Sequence, residues 1–357
     1  MIPIADPEVS EAAIGDVREV LESGMLADGP EVRAFEEEFA AFCDTDHAVA
    51  AANGTAALQT ALVAAGIDDG DTVLTTPFSF VASANAARLC GADVVFADID
   101  PETFNLSPDA VAAVAGEHDI DAIVAVHLYG LPADVNALRA VADEHDAILV
   151  EDAAQAHGAA YRGERVGSLG DVASFSFYPT KNMTTAEGGM VTTDDGEIAN
   201  RAQRFVNHGR STTGEHVEVG HNLRLTSVAA AIGREQLERL AGFNERRRHN
   251  AARLTEGLAD SGVETPTVPA DRRHVYHQYT VRARDRDRLS AVLDEHGVGS
   301  AVFYPRCIHE EPAYESVRGS YPEAERAARE VLSLPVHPNV TDADVEHIIE
   351  VIQEYAN

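Results

Sequence analysis

Of the 27 lysine and arginine residues in this sequence, one is lysine, Lys181, and all the others are arginine. A guanidinium can do most of a cation's surface work, because solvation or a carboxylate partner satisfies it. It cannot form a Schiff base, since it stays charged at neutral pH and is not a nucleophile. A chain that has replaced lysine everywhere except at one place points to amine chemistry at that place. The competing reading is chance retention on the surface of an arginine-biased protein.

Pyridoxal phosphate (PLP) chemistry sets a protein four physical tasks, and four places in the sequence match them. Lys181, in SFYPTKNMTTAEGG, would supply the Schiff-base amine and then, once displaced, a general base and acid. A buried carboxylate would keep the pyridine nitrogen protonated, so that the ring can accept electrons. Asp152, ending the apolar run AILVED, is placed for this, although an aspartate after a strand also commonly caps a helix. The segment NGTAALQTAL at 53–62 reads as a turn opening a helix. Gly54, Thr55 and Ala56 would there offer N–H groups to a phosphate at the positive helix end, and a plain capped helix has the same pattern. Ser176, just upstream of Lys181, would add a hydroxyl. The fourth task is an aromatic face for the ring. Phe80 in PFSFVASAN would stack on it, or Phe78 if the register is shifted, and either also suits ordinary core.

These residues need a scaffold that gathers them, and residues 45–195 read as one. Short apolar runs at 71–77, 92–100, 121–130, 146–154, 172–179 and 188–195 alternate with helical patterns such as 55–66 and 107–118. Continuous apolar strands separated by helices predict an open, mostly parallel α/β sheet covered on both faces. Ligand groups gather at the carboxyl ends of strands in such sheets. Residues 225–260 carry a long helical pattern. Beyond it, runs at 277–283, 286–297 and 301–307 and a terminal helix after Thr341 predict a smaller α+β domain. The expected division is a large PLP-binding domain at 1–240 and a small one at 241–357, with the N-terminal segment packing on the latter. Arg246, Arg247 and Arg248 read as a solvated helix face paired with nearby glutamates, with substrate phosphate as the alternative.

The formal net charge of −33 is spread along the chain. Such a surface repels nucleic acid and anionic membranes, which excludes both as expected partners. Acidic excess with one lysine fits a protein working in molar salt, as in an extreme halophile, where the Debye length falls to about 3 Å and self-repulsion is screened. The protein is expected to lose structure when salt is dialysed away. An unchanged circular dichroism spectrum in dilute buffer would defeat that expectation. The N-terminus lacks a basic stretch followed by an apolar run, and no segment is apolar enough for a membrane span, so the expected location is cytoplasmic. Cys43, Cys90 and Cys307 are far apart and odd in number. They read as reduced thiols, not a disulfide or metal framework.

Taken together, NGTAAL, TTPFSFVASANA, VEDAAQAHGAAYRGERVGSLGD, FSFYPTKNMTTAEGG, GHNLRLTSVAAAIGREQL, VFYP and LSLPVHP occur in an order that resembles, over essentially the whole chain, the DegT-type nucleotide-sugar aminotransferases. The resemblance implies a fold-type-I PLP transferase with Lys181 as the Schiff-base residue. It implies Asp152 at the pyridine nitrogen, Gln155 by the ring hydroxyl, Phe80 on the ring, and Ser176 with Gly54 and Thr55 at the phosphate. Asn222, with Arg224 nearby, would reach the phosphate of a partner subunit, implying a homodimer with shared active sites. Leu223 stands where the family usually has an aromatic. The implied reaction is ping-pong: an amino acid, usually glutamate, converts the cofactor to pyridoxamine phosphate, and a nucleotide-linked keto-sugar accepts the amine. TTAEGG after Lys181 looks more like members acting at sugar C4 than at C3. Dehydrating relatives carry His at the lysine position, and Lys181 argues against that branch. The alternatives are another fold-type-I enzyme acting on amino acids or keto acids, a non-catalytic PLP-binding regulator, and a structural protein without cofactor. Tyr304, His309 and His337 are candidates for the sugar pocket, each equally suited to ordinary packing.

Overall fold

The computed structural model describes residues 1–317 and 319–356. Its centre is a seven-stranded sheet made of β1 (His47–Ala51), β2 (Thr72–Thr75), β3 (Asp93–Phe96), β4 (Ala122–Val126), β5 (Ile148–Asp152), β6 (Val172–Ser176) and β7 (Gly189–Thr193). The spatial order is β1-β7-β6-β5-β4-β2-β3. Neighbours from β3 through β6 run parallel, whereas β7 is antiparallel to both β6 and β1. The expected α/β architecture is therefore present, and β1 is a strand that the apolar runs alone did not single out.

The continuous apolar runs have a simple cause. Successive strand residues point to opposite faces, and both faces are covered. Val49, Val73, Val124, Val150, Val172 and Val191 pack on one side with α3 (Gly54–Ala65), α4 (Ala82–Leu89) and α7 (Gly196–Val206). On the other side, Ala50, Ala173, Phe175 and Met190 meet α2 (Pro30–Cys43) and α8 (Ser227–Gly257). Leu74, Ile123 and Leu149 on that same side meet α5 (Pro108–Ala115) and α6 (Val135–Glu144). The first helix, α1 (Glu11–Ser23), packs along α8.

The far half of α8 contributes Ala251 and Leu254 to a separate core. It is shared with the antiparallel pair β8 (Tyr279–Arg282) and β9 (Val331–Leu334), with α9 (Arg286–Glu295) and with α11 (Asp342–Ala356). A last helix, α10 (Pro322–Glu330), packs between this unit and the loops after the central strands. Ile2 packs against the C-terminal core, and its N–H donates to Gly297 O at 2.8 Å. The 301–307 run forms one isolated bridge, Ala301 to Ser333, instead of a strand. Arg247 departs from the expected solvated face: it is buried and donates Nη1 to the carbonyls of Tyr276 and His277, while Arg246 pairs with Asp342 at 2.7 Å. Among the described residues no helix is long and apolar enough to cross a membrane.

Candidate active site

The carboxyl ends of β1, β2, β4, β5 and β6 meet at one edge of the sheet and border a cavity of about 980 Å³. Its lining includes Gly54, Thr55, Phe80, Asp152, Gln155, Ser176 and Lys181, so seven of the eight sequence-derived candidates converge there. They arrive from the start of α3, the segment after β2, the end of β5 with its following turn, and the end of β6 with its following turn, which explains why the groups are spread from 54 to 181 along the chain.

Helix α3 begins where Asn53 Oδ1 accepts the Ala56 N–H at 2.9 Å. That cap uses the Ala56 donor, so Ala56 does not share the anion-facing role expected of it. The N–H groups of Gly54 and Thr55 have no hydrogen-bond partner among the described residues and sit at the positive end of the helix. Gly54 is required by close approach: a Cβ there would lie 2.5 Å from Ser176 Cβ. The absent side chain brings the helix start against Ser176, and the two border the cavity together.

Asp152 ends β5 and is 7% exposed. No helix follows it, so the capping alternative does not apply; Oδ1 accepts the Ala154 N–H at 3.3 Å in a turn. Next to it, Glu151 is fully buried and points away from the cavity. Its Oε1 accepts the N–H groups of Leu169 and Gly170, and its Oε2 accepts those of Gly167 and His127 Nε2. The alternation of a strand thus separates a structural carboxylate from a cavity-facing one.

Lys181 follows a turn in which its N–H donates to Tyr178 O at 2.9 Å. Burial pushes its ammonium down to about 8, against the opposing pull of the Asp152 charge. Neutral amine is the reactive form. As this is the sole lysine, an amine-directed reagent such as trinitrobenzenesulfonate should modify it in the apoprotein with a rate rising through about pH 8. Peptide mapping separates it from the N-terminal amine. A midpoint near the ordinary value of about 10.4 would show a solvated ammonium.

Phe80 is 56% exposed on the cavity wall, its ring centroid 6.1 Å from that of Tyr304. Phe78, the alternative, is fully buried against Phe104 and Tyr304. Gln155 is held at both ends of its amide: Oε1 accepts the Tyr129 N–H at 2.7 Å, and Nε2 donates to Tyr304 Oη at 3.1 Å. Of the three pocket candidates, Tyr304 lines the cavity. His309 pairs with Glu325 at 3.5 Å, and His337 Nε2 lies 3.0 Å from Pro3 O, both away from it.

Asn222 is exposed and absent from the cavity lining of its own protomer; its backbone bridges to Asn207, whose side chain accepts from Arg224. Sequence reasoning missed Ser83 and His277, which also line the cavity. Burial and the neighbouring Lys181 charge hold His277 well below its ordinary value, hence neutral. Ser83 had a readable signal, a hydroxyl one helical turn beyond Phe80; His277 had none.

This donor set fits pyridoxal phosphate. Unpaired helix N–H groups and a hydroxyl suit a phosphate, a carboxylate suits a pyridinium, a depressed lysine suits an aldehyde, and an exposed aromatic face suits the ring.

Comparison with known proteins agrees. The model of the DegT/DnrJ/EryC1/StrS aminotransferase family matches residues 7–353. The dTDP-3-amino-3,4,6-trideoxy-alpha-D-glucose transaminase of Streptomyces venezuelae is 41% identical over 345 residues, 95% of this chain and 91% of that one. A pleiotropic regulatory protein of Geobacillus stearothermophilus is 41% identical over 344 residues, 94% of this chain and 92% of that one. The crystal structure of DesV from S. venezuelae superposes with a TM-score of 0.94 at 41% identity, covering 97% of this chain and 94% of that one.

Proposed function

The chain belongs to the DegT/DnrJ/EryC1/StrS aminotransferase family and is a PLP-dependent transaminase, and from that premise we propose that it moves an amino group from glutamate to a nucleotide-linked keto-sugar. The observation that carries this reading is the convergence of the sole lysine and Asp152 in one cavity. The sugar class is supported by the dTDP-sugar transaminase that is 41% identical.

PLP, when bound, supplies an electron-accepting ring and an aldehyde that carries the travelling nitrogen. In the proposed arrangement, Gly54, Thr55 and Ser176 bind its phosphate, and Phe80 covers one face of its ring. Asp152 holds a proton at the ring nitrogen, and Gln155 lies by the ring hydroxyl. Lys181 Nζ takes the proton from the donor's α-carbon and returns it on the other side of the exchange. Its lowered proton affinity suits that task.

The sequence after Lys181 favours C4 of the sugar, while the name of the Streptomyces relative places its amine at position 3. Both keto positions therefore belong in the acceptor test. A homodimer with Asn222 reaching the partner's site completes the proposal. It is supported by the exposure of Asn222 away from its own cavity and by the exposed apolar side chains Leu21, Met25 and Leu26. The division at 240/241 and a salt-rich cytoplasm are parts of the same reading. They are supported by the separate C-terminal core, the acidic charge, and three free cysteines of which two are buried.

The regulatory name of the Geobacillus relative favours a second reading, a PLP-binding regulator without turnover. One experiment separates them. The protein loaded with PLP in high salt should show a visible band that glutamate bleaches, and a 3-keto or 4-keto nucleotide sugar should restore it. A band that glutamate leaves intact would favour the regulator. Restoration by simple keto acids alone would move the enzyme to amino-acid metabolism.

A further inference from the structure

Segment 79–83, SFVAS, carries more than the aromatic Phe80. Ser83, in the first turn of α4, donates Oγ–H to Asp152 Oδ2 at 2.7 Å, a contact between residues 69 positions apart. Ser79 Oγ lies 2.8 Å from Ser83 Oγ and 3.0 Å from Phe80 O. All three side chains are buried. Proton bookkeeping gives the chain a direction. An ionised carboxylate only accepts, so the single Ser83 proton goes to Asp152, and a Ser83 lone pair is left to accept from Ser79. The other carboxylate oxygen accepts the Ala154 N–H at 3.3 Å. Asp152 is therefore held at both oxygens by protein donors, one from α4 and one from its own turn.

Resting on the functional reading above, we propose that Ser83 is a positioning residue for the cofactor. Its hydroxyl fixes the plane of the Asp152 carboxylate, and with it the lone pairs presented to the pyridine nitrogen. Segment 79–83 then works as one device, because the same backbone sets Phe80 on the cavity wall and Ser83 behind the carboxylate. Groups that orient a liganding residue typically contribute 10- to 100-fold to affinity in metal sites. A hydrogen bond to a buried charged group supports a comparable effect here.

The test is a PLP titration of apoprotein in high salt. It reads the dissociation constant and the induced circular dichroism of the visible band, which reports ring orientation. Ser83→Ala should weaken binding roughly 10-fold and diminish the induced signal. Ser83→Cys, which keeps the volume and weakens the donor, should move both in the same direction. Placed on Asp152→Asn, Ser83→Ala should add less than about 2-fold, because its route to the cofactor is already cut. Far-UV spectra confirm folding of each variant. If Asp152→Asn weakens binding while Ser83→Ala and Ser83→Cys do not, the Ser83 role is overturned and the Asp152 reading stands. An undiminished Ser83→Ala effect on the Asp152→Asn background would mean packing, and overturns it too. If Asp152→Asn itself leaves affinity unchanged, the Asp152 reading falls and takes Ser83 with it.

Discussion

Lys181→Arg is expected to be a folded protein whose amino transfer is lower by on the order of 10⁴-fold. A positioned acid–base group alone contributes up to about that factor, and Lys181 is also the only lysine in the chain. Arginine keeps a positive charge opposite Asp152, so the electrostatic environment changes little while nucleophilicity is lost. The comparison needed is turnover of glutamate with a nucleotide keto-sugar, wild type against variant, with far-UV spectra to confirm the fold. A small primary amine added to Lys181→Ala should recover part of the activity, since it replaces the missing group within the cavity. A variant that kept more than a few per cent of wild-type turnover would remove the covalent role from Lys181, and no other lysine could take it over.

Glu151→Ala should be the most destabilising single change near the site, by roughly 4 kcal/mol. The side chain is fully buried and accepts three backbone N–H groups from the 167–170 turn as well as His127 Nε2. Each donor left unsatisfied in the interior costs about 1 kcal/mol or more, against a total stability of about 5–15 kcal/mol. Glu151→Gln should not rescue the fold. His127 Nδ1 accepts the Ala133 N–H at 3.0 Å, which places the ring proton on Nε2, facing Glu151. A glutamine amide can satisfy Leu169 and Gly170 with its oxygen, but its NH₂ then meets two donors, Gly167 N–H and His127 Nε2–H. Urea midpoints in high salt measure both effects. A Glu151→Gln protein as stable as wild type would mean that this network rearranges freely.

Much of the candidate site was legible in the chain because its chemistry is local. A lone lysine, a carboxylate at the end of an apolar run and an NGT turn ahead of a helix each announce a task by residue type. Strands and helices were legible for a related reason: burial on both faces writes continuous apolar runs, and helices write a different period. Where reading failed, the cause was a hydrogen-bond partner that residue type alone does not announce, whether remote in sequence or in the adjoining turn. Arg247 looked solvated among three arginines, yet carbonyls of Tyr276 and His277 draw it inside. Ala56 looked like an anion donor, yet the Asn53 cap already uses its N–H. Glu151 and Asp152 are neighbours in the chain, and the strand alternation turns them to opposite faces, so that Asp152 alone lines the cavity.

What the sequence determined by itself, then, was the kind of chemistry, the alternating architecture and the family, all of which rest on residue type and short-range period. The tertiary structure decided which groups touch. It set Gly54 against Ser176, Ser83 on Asp152, and Lys181 on the cavity wall where desolvation lowers its proton affinity. Those contacts follow from the strand order β1-β7-β6-β5 and from the helices that cover it. The physical reason is range. Propensity and periodicity act over a few neighbouring residues, whereas hydrogen bonds and desolvation depend on which distant segments the packed sheet brings together.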